Sequence, residues 1–209
     1  MEIERKFTVK HLPDNLTDYP CLLIEQGYLC TAPVVRIRRQ DDAFYLTYKG
    51  AGLLAREEYN LPLTAEAYLH LRPKTDGNLI TKRRYRIPIH RPRFAPGYDP
   101  LTDRALSPGS SAESAIGAAH TAAAASETPY AAADPLAASV PDLTIELDLF
   151  DAPFQNLVIA EVEFPSEEMA NAFLPPDWFE RDVTFDERYH NSYLSRCKPE
   201  SIDRVGGGD

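Results

Sequence analysis

Several features that mark common protein classes are scarce in this sequence. Its 209 residues include only three cysteines, Cys21, Cys30 and Cys197, which are odd in number and lack the C-x₂-C spacing of zinc sites. No apolar run reaches the roughly 18 residues that a transmembrane helix needs, and the acidic N-terminus lacks the apolar core of a signal peptide. We therefore expect a cytoplasmic protein with reduced thiols and no membrane partner.

Positive charge is also in deficit. The formal net charge is −10 at pH 7, so the chain has no excess of lysine and arginine with which to neutralise a nucleic acid. The phosphate-binding pattern G-x-x-x-x-G-K-[ST] is absent as well. These absences argue against a nucleic-acid partner and against a nucleotidase of the P-loop class.

The first six residues carry charge at alternate positions. Glu2, Glu4 and Lys6 share one face if this segment is a β-strand, because successive side chains of a strand point to opposite faces. A divalent cation beside a polyanionic ligand explains such a set, since the carboxylates would hold the cation and the lysine would meet the anion. The alternative is a solvent-facing edge strand whose charges oppose aggregation.

The same alternation recurs in six later segments. The acidic members of the whole set are Glu2, Glu4, Glu58, Glu146, Asp148, Glu161 and Glu163. The basic members are Lys6, Arg36, Arg38, Lys49, Arg56, Lys82 and Arg84. Antiparallel strands with one charged face are able to close into a barrel of about eight strands with a hydrophilic interior. A ligand that satisfies both populations is strongly anionic and brings divalent cations, as a polyphosphate does.

The ordered set of charged pairs, beginning with Glu2, Glu4 and Lys6, resembles the ExExK signature and the later segments of the CYTH superfamily, also called triphosphate tunnel metalloenzymes. Residues 181–184 and 189–194 are similar to the closing segment of that family, and the resemblance covers most of residues 1–92 and 142–196. It implies an α+β fold with an eight-stranded antiparallel closed β-barrel and a few flanking helices. It also implies a triphosphate that is bound with Mg²⁺ or Mn²⁺ and usually hydrolysed.

Triphosphate hydrolysis depends mainly on positioning and on neutralising oxygen charge, which assigns each charged residue a predicted role. The predicted substrate-binding residues are Lys6, Arg36, Arg38, Lys49, Arg56, Lys82, Arg84 and Arg181. The predicted metal ligands are Glu2 and Glu4 with one of Glu161 or Glu163. The predicted catalytic residues are Glu58, Glu146, Asp148, Lys82 and Tyr28. The attacking water is oriented and deprotonated either by one of the carboxylates Glu58, Glu146 and Asp148 or by a second metal.

Three of these assignments leave an alternative open. Tyr28 lies where some relatives have a tyrosine paired with a lysine that influences substrate choice, and otherwise it is a core or rim tyrosine. Arg181 is either a phosphate contact at the mouth of the tunnel or the partner in a surface salt bridge. The histidines fall outside the alternating set, so we expect them on the surface or in loops rather than as ligands.

The sequence predicts a single domain over residues 1–196. Its predicted strands span 22–30, 33–39, 44–49, 56–61 and 79–89, and its predicted helices are a Thr64-capped helix over 65–71, one after Ser166 and one over 186–197. Residues 92–141 contain seven prolines, an alanine tract and few large apolar side chains, so they are predicted to be a mostly disordered insertion. Residues 197–209 are predicted to be a flexible tail.

Three functions remain open at the level of sequence. The first is a metal-dependent inorganic triphosphatase whose partner is a small anionic substrate. The second is adenylate cyclase or thiamine triphosphatase chemistry in the same tunnel, although the sole tryptophan, Trp178, lies in a predicted loop and no base or thiazole pocket is specified. The third is a non-catalytic polyphosphate-binding module, which the full set of carboxylates disfavours. Whether the protein is a monomer or a homodimer stays open.

Overall fold

The computed structural model describes residues 2–51, 54–105 and 140–198. The strands in these ranges are β1 (Glu2–Val9), β2 (Cys21–Thr31), β3 (Val34–Gln40), β4 (Ala43–Lys49), β5 (Ala55–Arg56), β6 (Glu58–Leu63), β7 (Asp76–Ile89), β8 (Arg93–Phe94), β9 (Tyr98–Asp99), β10 (Arg104–Ala105), β11 (Leu143–Phe150), β12 (Val158–Glu163), β13 (Phe173–Leu174) and β14 (Phe179–Asp182). The helices are α1 (Ala65–Leu71), α2 (Glu167–Ala172) and α3 (Asn191–Leu194), with 3₁₀ turns at Leu16–Asp18, Arg72–Lys74 and Glu187–Tyr189.

One large antiparallel sheet dominates the described residues. Its strands lie in the order β14-β1-β12-β11-β7-β2-β3-β4-β6, and β5 pairs with β1 outside that path. The remaining strands form two small two-stranded pairings, β8 with β13 and β9 with β10. The antiparallel α+β architecture with few helices confirms the general fold predicted from the sequence.

The segment formed by β5 and β6 contacts two strands that lie far apart in the strand order. In β6, Glu58 pairs with Lys49 of β4. Only Glu57 separates β5 from β6. In β5, Arg56 pairs with Glu2 of β1. The Glu4 N–H also donates to the carbonyl of Leu54, at 3.0 Å. One short stretch of chain therefore joins β4 to β1.

The two faces of the sheet differ in polarity, as the alternation in the sequence predicts. Residues such as Phe7, Leu147 and Val162 point away from the charged face and are at most 1% exposed. They form a core that also includes Met169 and Ala170 of α2, so the helix covers this face. Burial of these apolar side chains, at about 25 cal/mol per Å² removed from water, is the main stabilisation of the arrangement.

A second apolar cluster lies on the charged face itself. Ile80, Phe150 and Ile159 each lie two residues from a charged member of the set, and therefore share its face. They pack with Tyr189 and Leu194 from the C-terminal part of the chain. The charged face is thus polar over one part of its length and apolar over another, whereas the sequence predicted a hydrophilic interior throughout.

The predicted cap at Thr64 and the predicted start of a helix after Ser166 are both confirmed. The Thr64 hydroxyl accepts a hydrogen bond from the Ala67 N–H at 3.1 Å, and the Ser166 hydroxyl accepts one from the Met169 N–H at 3.0 Å. The predicted helix over 186–197 is wrong in its extent. His190 has an extended backbone (φ −87°, ψ 138°), so the segment is split into a 3₁₀ turn and the four-residue α3.

The C-terminal segment is held against the start of β7. The Asn78 N–H donates to the carbonyl of Ser195 at 2.7 Å, and its side-chain amide donates to the carbonyls of Leu194 and Cys197. Gly77, at φ +70°, makes this approach possible, because a Cβ there would lie 2.0 Å from the Ser195 oxygen. This docking places Tyr189–Leu194 beside the charged face.

Part of the predicted insertion is ordered. β8 pairs with β13, and β9 pairs with β10, so residues 93–105 have defined structure. The rest of that prediction, residues 106–139, lies outside the described residues, as does the predicted tail from residue 199 onward. Among the described helices, none combines the length and the apolar character needed to cross a bilayer.

Candidate active site

The charged face borders a cavity of about 220 Å³. Its lining residues are Glu2, Glu4, Lys6, Leu22, Tyr28, Val34, Arg36, Arg38, Gln40, Lys49, Arg56, Glu58, Arg84, Arg86, Glu146, Glu161, Glu163, His190, Asn191 and Ser192. All but three of the site residues predicted from the sequence are in this set. The exceptions are Lys82, Asp148 and Arg181.

Lys82 and Asp148 lie behind Arg84 rather than on the cavity wall. The Asp148 carboxylate accepts from Arg84 Nε and Nη2, each at 2.6 Å, and also from the Lys82 ammonium. Burial lowers the pKa of Lys82 to about 8, Asp148 opposes this shift, and Arg84 adds to it. The pair thus supports the Arg84 guanidinium from behind and is not itself in the lining.

Two carboxylates of β1 are each shared between two cations. Glu2 accepts from Lys49 Nζ at 2.5 Å and from Arg56 Nε at 3.2 Å. Glu4 accepts from Arg56 Nη2 at 2.8 Å and lies 3.0 Å from Lys6 Nζ. These pairings follow from the register, which sets Glu2 opposite Arg56. Positive and negative side chains therefore alternate along the cavity wall.

The Lys6 ammonium also donates a hydrogen bond to the Glu161 carboxylate. The two residues are direct cross-strand partners in β1 and β12. Burial alone would lower the pKa of Lys6, but the carboxylates of Glu161 and Glu4 outweigh it and raise that pKa. At Glu58, on the opposite side, burial is likewise outweighed, since Lys49 lowers the pKa of this carboxyl to about 2. Both groups are charged at neutral pH.

Glu163 differs from these carboxylates. It is exposed, and within the described residues it forms no ion pair. Its carboxyl group is nevertheless partly shielded from water, and this partial burial, followed by repulsion from the carboxylates of Glu2, Glu146, Glu4 and Glu58, raises its pKa. Negative charge is therefore in local excess around Glu163.

Arg36 and Arg38 form a positively charged part of the cavity wall. Both bond to the amide oxygen of Gln26, from Arg36 Nη1 at 3.4 Å and from Arg38 Nε and Nη2 at 3.2 and 3.1 Å. Burial, together with repulsion from Arg36 and Arg84, lowers the pKa of Arg38 to about 10, so that it remains a cation at neutral pH. Gln26 was not among the predicted site residues, because an uncharged residue does not appear in a pattern of alternating charges.

Tyr28 and Lys82 are separated in the structure. Tyr28, at 3% exposure, lines the cavity opposite Arg36 of β3, and burial raises the pKa of its hydroxyl. Lys82 is the partner of Ile24, four residues earlier in β2. Tyr28 is therefore a wall residue of the cavity next to Arg36.

Arg181 lies in a different cavity, of about 350 Å³, which is also lined by Thr8, Lys10 and Glu180. There it donates to the Tyr189 hydroxyl at 3.1 Å. The side chain reaches this position because β14 pairs with the far end of β1, at Phe7–Val9.

His190 is a lining residue that the sequence predicted to lie on the surface or in a loop; it lies in the bend between the 3₁₀ turn and α3, but it is buried. It is 6% exposed, and its Nε2 lies 3.0 Å from the carbonyl oxygen of Thr184. A carbonyl only accepts, so Nε2 carries a hydrogen. Burial and the nearby Lys6 ammonium lower the pKa of the imidazole. The one feature of the sequence that could have identified His190 as a lining residue is its position in the closing segment, beside Asn191.

The carboxylates are not arranged as a ready metal site. Across residues 2–51, 54–105 and 140–198, no group of three or more Asp, Glu, His or Cys side chains is positioned to hold a cation. Lysines and arginines bond to Glu2, Glu4 and Glu161 instead. The donor chemistry is nevertheless that of a hard divalent cation, because these oxygens and Glu163 line one cavity.

Comparison with known proteins gives matches that cover nearly the whole chain. An inorganic triphosphatase from Nitrosomonas europaea is 29% identical over 202 residues, which are 95% of this chain and 99% of that protein. A crystal structure of an inorganic triphosphatase matches with a TM-score of 0.54 at 28% identity, covering 95% of this chain and 97% of that one.

A shorter match is to an inorganic triphosphatase from Acetivibrio thermocellus, 49% identical over 51 residues, which are 24% of this chain and 31% of that protein. No family model matches the sequence. The full-length matches in sequence and in fold confirm the predicted resemblance, since this chain is similar over nearly its whole length to an inorganic triphosphatase.

Proposed function

We propose that this protein hydrolyses a triphosphate, with inorganic tripolyphosphate as its substrate. The observation that carries the proposal is the cavity that cations and carboxylates from eight strands line together. A polyphosphate would bind to the lysine and arginine side chains, and its counter-cation would bind to the carboxylates. The homology to inorganic triphosphatases over 95% of the chain supports the same substrate class.

The sheet around this cavity is proposed to be a closed barrel of eight strands. Support comes from the segment formed by β5 and β6, which pairs with β4 through Glu58 and with β1 through Arg56. If these two short strands count as one, the order β1-β12-β11-β7-β2-β3-β4-β5/β6 returns to β1. The apolar cluster around Ile80, Phe150 and Ile159 would then fill one end of the interior.

The phosphate oxygens are proposed to bind at the basic side chains of the cavity. Arginine guanidiniums bind phosphates through pairs of N–H groups, whereas lysine acts as a point charge. The lining residues in this role are Lys6, Arg36, Arg38, Lys49, Arg56 and Arg84. Lys82 would contribute indirectly, because through Asp148 it fixes the guanidinium of Arg84. Arg181, at the second cavity, is left out of the proposed phosphate contacts.

A divalent cation, Mg²⁺ or Mn²⁺, is proposed to be held by Glu2, Glu4 and one of Glu161 or Glu163. When bound, it supplies neutralisation of phosphate-oxygen charge. The raised pKa of Glu163 supports this location, since repulsion among the surrounding carboxylates is what a cation relieves. In the structure, Lys6 and Lys49 neutralise these carboxylates. If a cation took over this role, both ammonium groups would be free to bind phosphate.

Glu146 is the carboxylate proposed to orient the attacking water and to accept its proton. It lines the cavity, and its side chain is 35% exposed, so water reaches it. Of the other two candidates, Asp148 lies outside the lining, and Glu58 is a weak base because Lys49 lowers its pKa to about 2. Most of the acceleration would come from positioning and charge neutralisation.

A panel of substrates tests this function. Purified protein is assayed with tripolyphosphate, ATP and thiamine triphosphate in the presence of Mg²⁺ or Mn²⁺, and both free phosphate and cyclic AMP are measured. The proposal predicts that phosphate release from tripolyphosphate exceeds that from either organic triphosphate. Cyclic AMP formation, faster release from thiamine triphosphate, or tight binding without turnover would each replace the proposal with a different function.

Residues 1–196 are proposed to form one domain. The pairing of Phe94 with Phe173 supports this, because it joins residues on either side of the 106–139 stretch. Replacing residues 106–139 with a short Gly-Ser linker is expected to leave phosphate release unchanged. Loss of activity in a variant that remains folded would instead assign that stretch a functional role.

A further inference from the structure

We propose that Gln26 is a positioning residue that aligns the guanidinium groups of Arg36 and Arg38 while leaving both positive charges uncompensated for the triphosphate. This inference rests on the proposed function and deepens it, since it identifies where the most anionic part of the substrate binds. Gln26 itself is absent from the lining of the cavity, so it would act through the two arginines.

The contacts of Gln26 hold both guanidiniums from one point. The residue is fully buried, and its Cα partner across β2 and β3 is Arg38. Its single amide oxygen accepts from Arg38 Nε at 3.2 Å, from Arg38 Nη2 at 3.1 Å and from Arg36 Nη1 at 3.4 Å. Two like charges therefore converge on one neutral acceptor, which fixes their orientation.

Four of the five other lysines and arginines that line the cavity have a different kind of partner. Lys6, Lys49, Arg56 and Arg84 each contact at least one carboxylate. Arg36 and Arg38 form no ion pair with any carboxylate in the described part of the chain, and neither does Arg86, the fifth. A neutral amide at position 26 thus preserves two full positive charges side by side in the cavity, where a carboxylate would cancel one of them.

Unused hydrogen-bond donors lie at the same place. Arg36 Nε and Gln26 Nε2 are buried, and neither has a hydrogen-bond partner among the described residues. A buried donor without a partner carries a desolvation cost, which a bound acceptor removes. Arg36 lines the cavity, so its Nε is a donor suited to a phosphate oxygen.

The carboxylates of the same cavity support a polar orientation of the substrate. Glu163 lines the cavity, is exposed and forms no ion pair among the described residues. A chain of phosphates would therefore place its most negative terminal group at Arg36 and Arg38, and its counter-cation towards Glu163. Gln26 maintains this difference between the two groups of side chains.

The substitution Gln26→Glu tests the inference, because it keeps the shape of the side chain and adds one negative charge. Binding of tripolyphosphate to metal-free protein is measured by calorimetry, and Tm is measured in parallel. We expect the Kd to rise about tenfold or more, the size of one charge-assisted hydrogen bond. We expect Tm to stay equal or to rise, since the new carboxylate would pair with two arginines.

Glu25→Gln is the matched control on the neighbouring residue. Glu25 accepts from Arg72 and from the Tyr68 hydroxyl, so this change should lower Tm and leave the Kd unchanged. An unchanged Kd in Gln26→Glu would overturn the inference, and so would a variant that is less stable or fails to fold. If wild-type protein neither binds tripolyphosphate nor releases phosphate from it with Mg²⁺ or Mn²⁺, it is the proposed function that fails. If wild type responds only with metal present, KM for tripolyphosphate replaces the Kd in the same comparison, so the two failures are distinguishable.

Discussion

The Lys82 ammonium and the Asp148 carboxylate form an ion pair from which solvent is fully excluded, with both side chains at 0% exposure. Arg84 completes the group, because its guanidinium makes two hydrogen bonds to the same carboxylate. The pair lies between the charged cavity and the apolar cluster, where Lys82 Nζ is 5.1 Å from the centroid of the Phe150 ring. The Lys82–Asp148 pair therefore contributes to the stability of the fold and also holds Arg84 in its position in the cavity.

The first prediction concerns removal of one partner from this pair. Asp148→Asn leaves Lys82 and Arg84 without their shared buried counter-charge, and breaking such a pair typically costs about 3–5 kcal/mol. The free energy of unfolding in urea should fall by an amount in that range. Glu146→Gln is the control, because Glu146 contacts the same arginine but is 35% exposed, so the change should be under about 1 kcal/mol. Equal effects of the two substitutions would contradict the structural role of Asp148.

The second prediction concerns pH. Burial lowers the pKa of Lys82 to about 8 in the folded chain, against an ordinary value of 10.5. Between these values the unfolded chain holds more protons at this site, so the contribution of Lys82 to the free energy of unfolding rises with pH. Below about pH 8 both states are protonated and this contribution is constant. The difference between wild type and Lys82→Met, measured in urea from about pH 7.5 to 10.5, should therefore increase with pH; a flat difference would refute the shift.

The third prediction concerns Glu4. In Glu4→Gln, Lys6 keeps Glu161 as a partner and Arg56 keeps Glu2, so the fold should remain intact by circular dichroism. Metal-dependent phosphate release from tripolyphosphate should fall by at least about tenfold, the loss that outer-shell substitutions already cause at metal sites. Glu168→Gln, an exposed carboxylate in the first turn of α2, serves as the control. Unchanged turnover in Glu4→Gln would count against the proposed metal ligands.

The fourth prediction concerns how much of the phosphate chain the cavity holds. Arg38→Ala should weaken tripolyphosphate binding by roughly ten- to a hundredfold, because a hydrogen bond to a charged group contributes about 1.5–3 kcal/mol. Pyrophosphate, which is shorter, should lose less. The adjacent Arg39 is exposed and bonds to the Asp41 carbonyl, so Arg39→Ala should leave both affinities unchanged. A similar loss for both ligands would mean that Arg38 does not distinguish chain length.

Much of the fold was predictable because strand periodicity is short and regular. A period of two residues assigns Glu2, Glu4 and Lys6 to one face without knowledge of any partner strand, and the same rule identified the later segments. The caps at Thr64 and Ser166 were also local signals. The cavity lining follows from these faces once the strands pair.

The depth of each side chain along its strand was not predictable from the sequence. Lys82 and Arg84 have the same alternation, yet only Arg84 lines the cavity, because Lys82 lies next to the apolar cluster formed with Ile80. That difference depends on register between strands distant in sequence. Gln26 and His190 were not predicted as site residues for another reason, since each acquires its role from neighbours that only the folded chain brings close.

The most direct test of the central claim is a crystal structure of the protein with tripolyphosphate. The account predicts that the phosphate chain lies in the cavity between β1, β3 and β7, with a terminal phosphate bound by Arg36 and Arg38. Density for the phosphate chain at another surface, with this cavity containing only solvent, would contradict it.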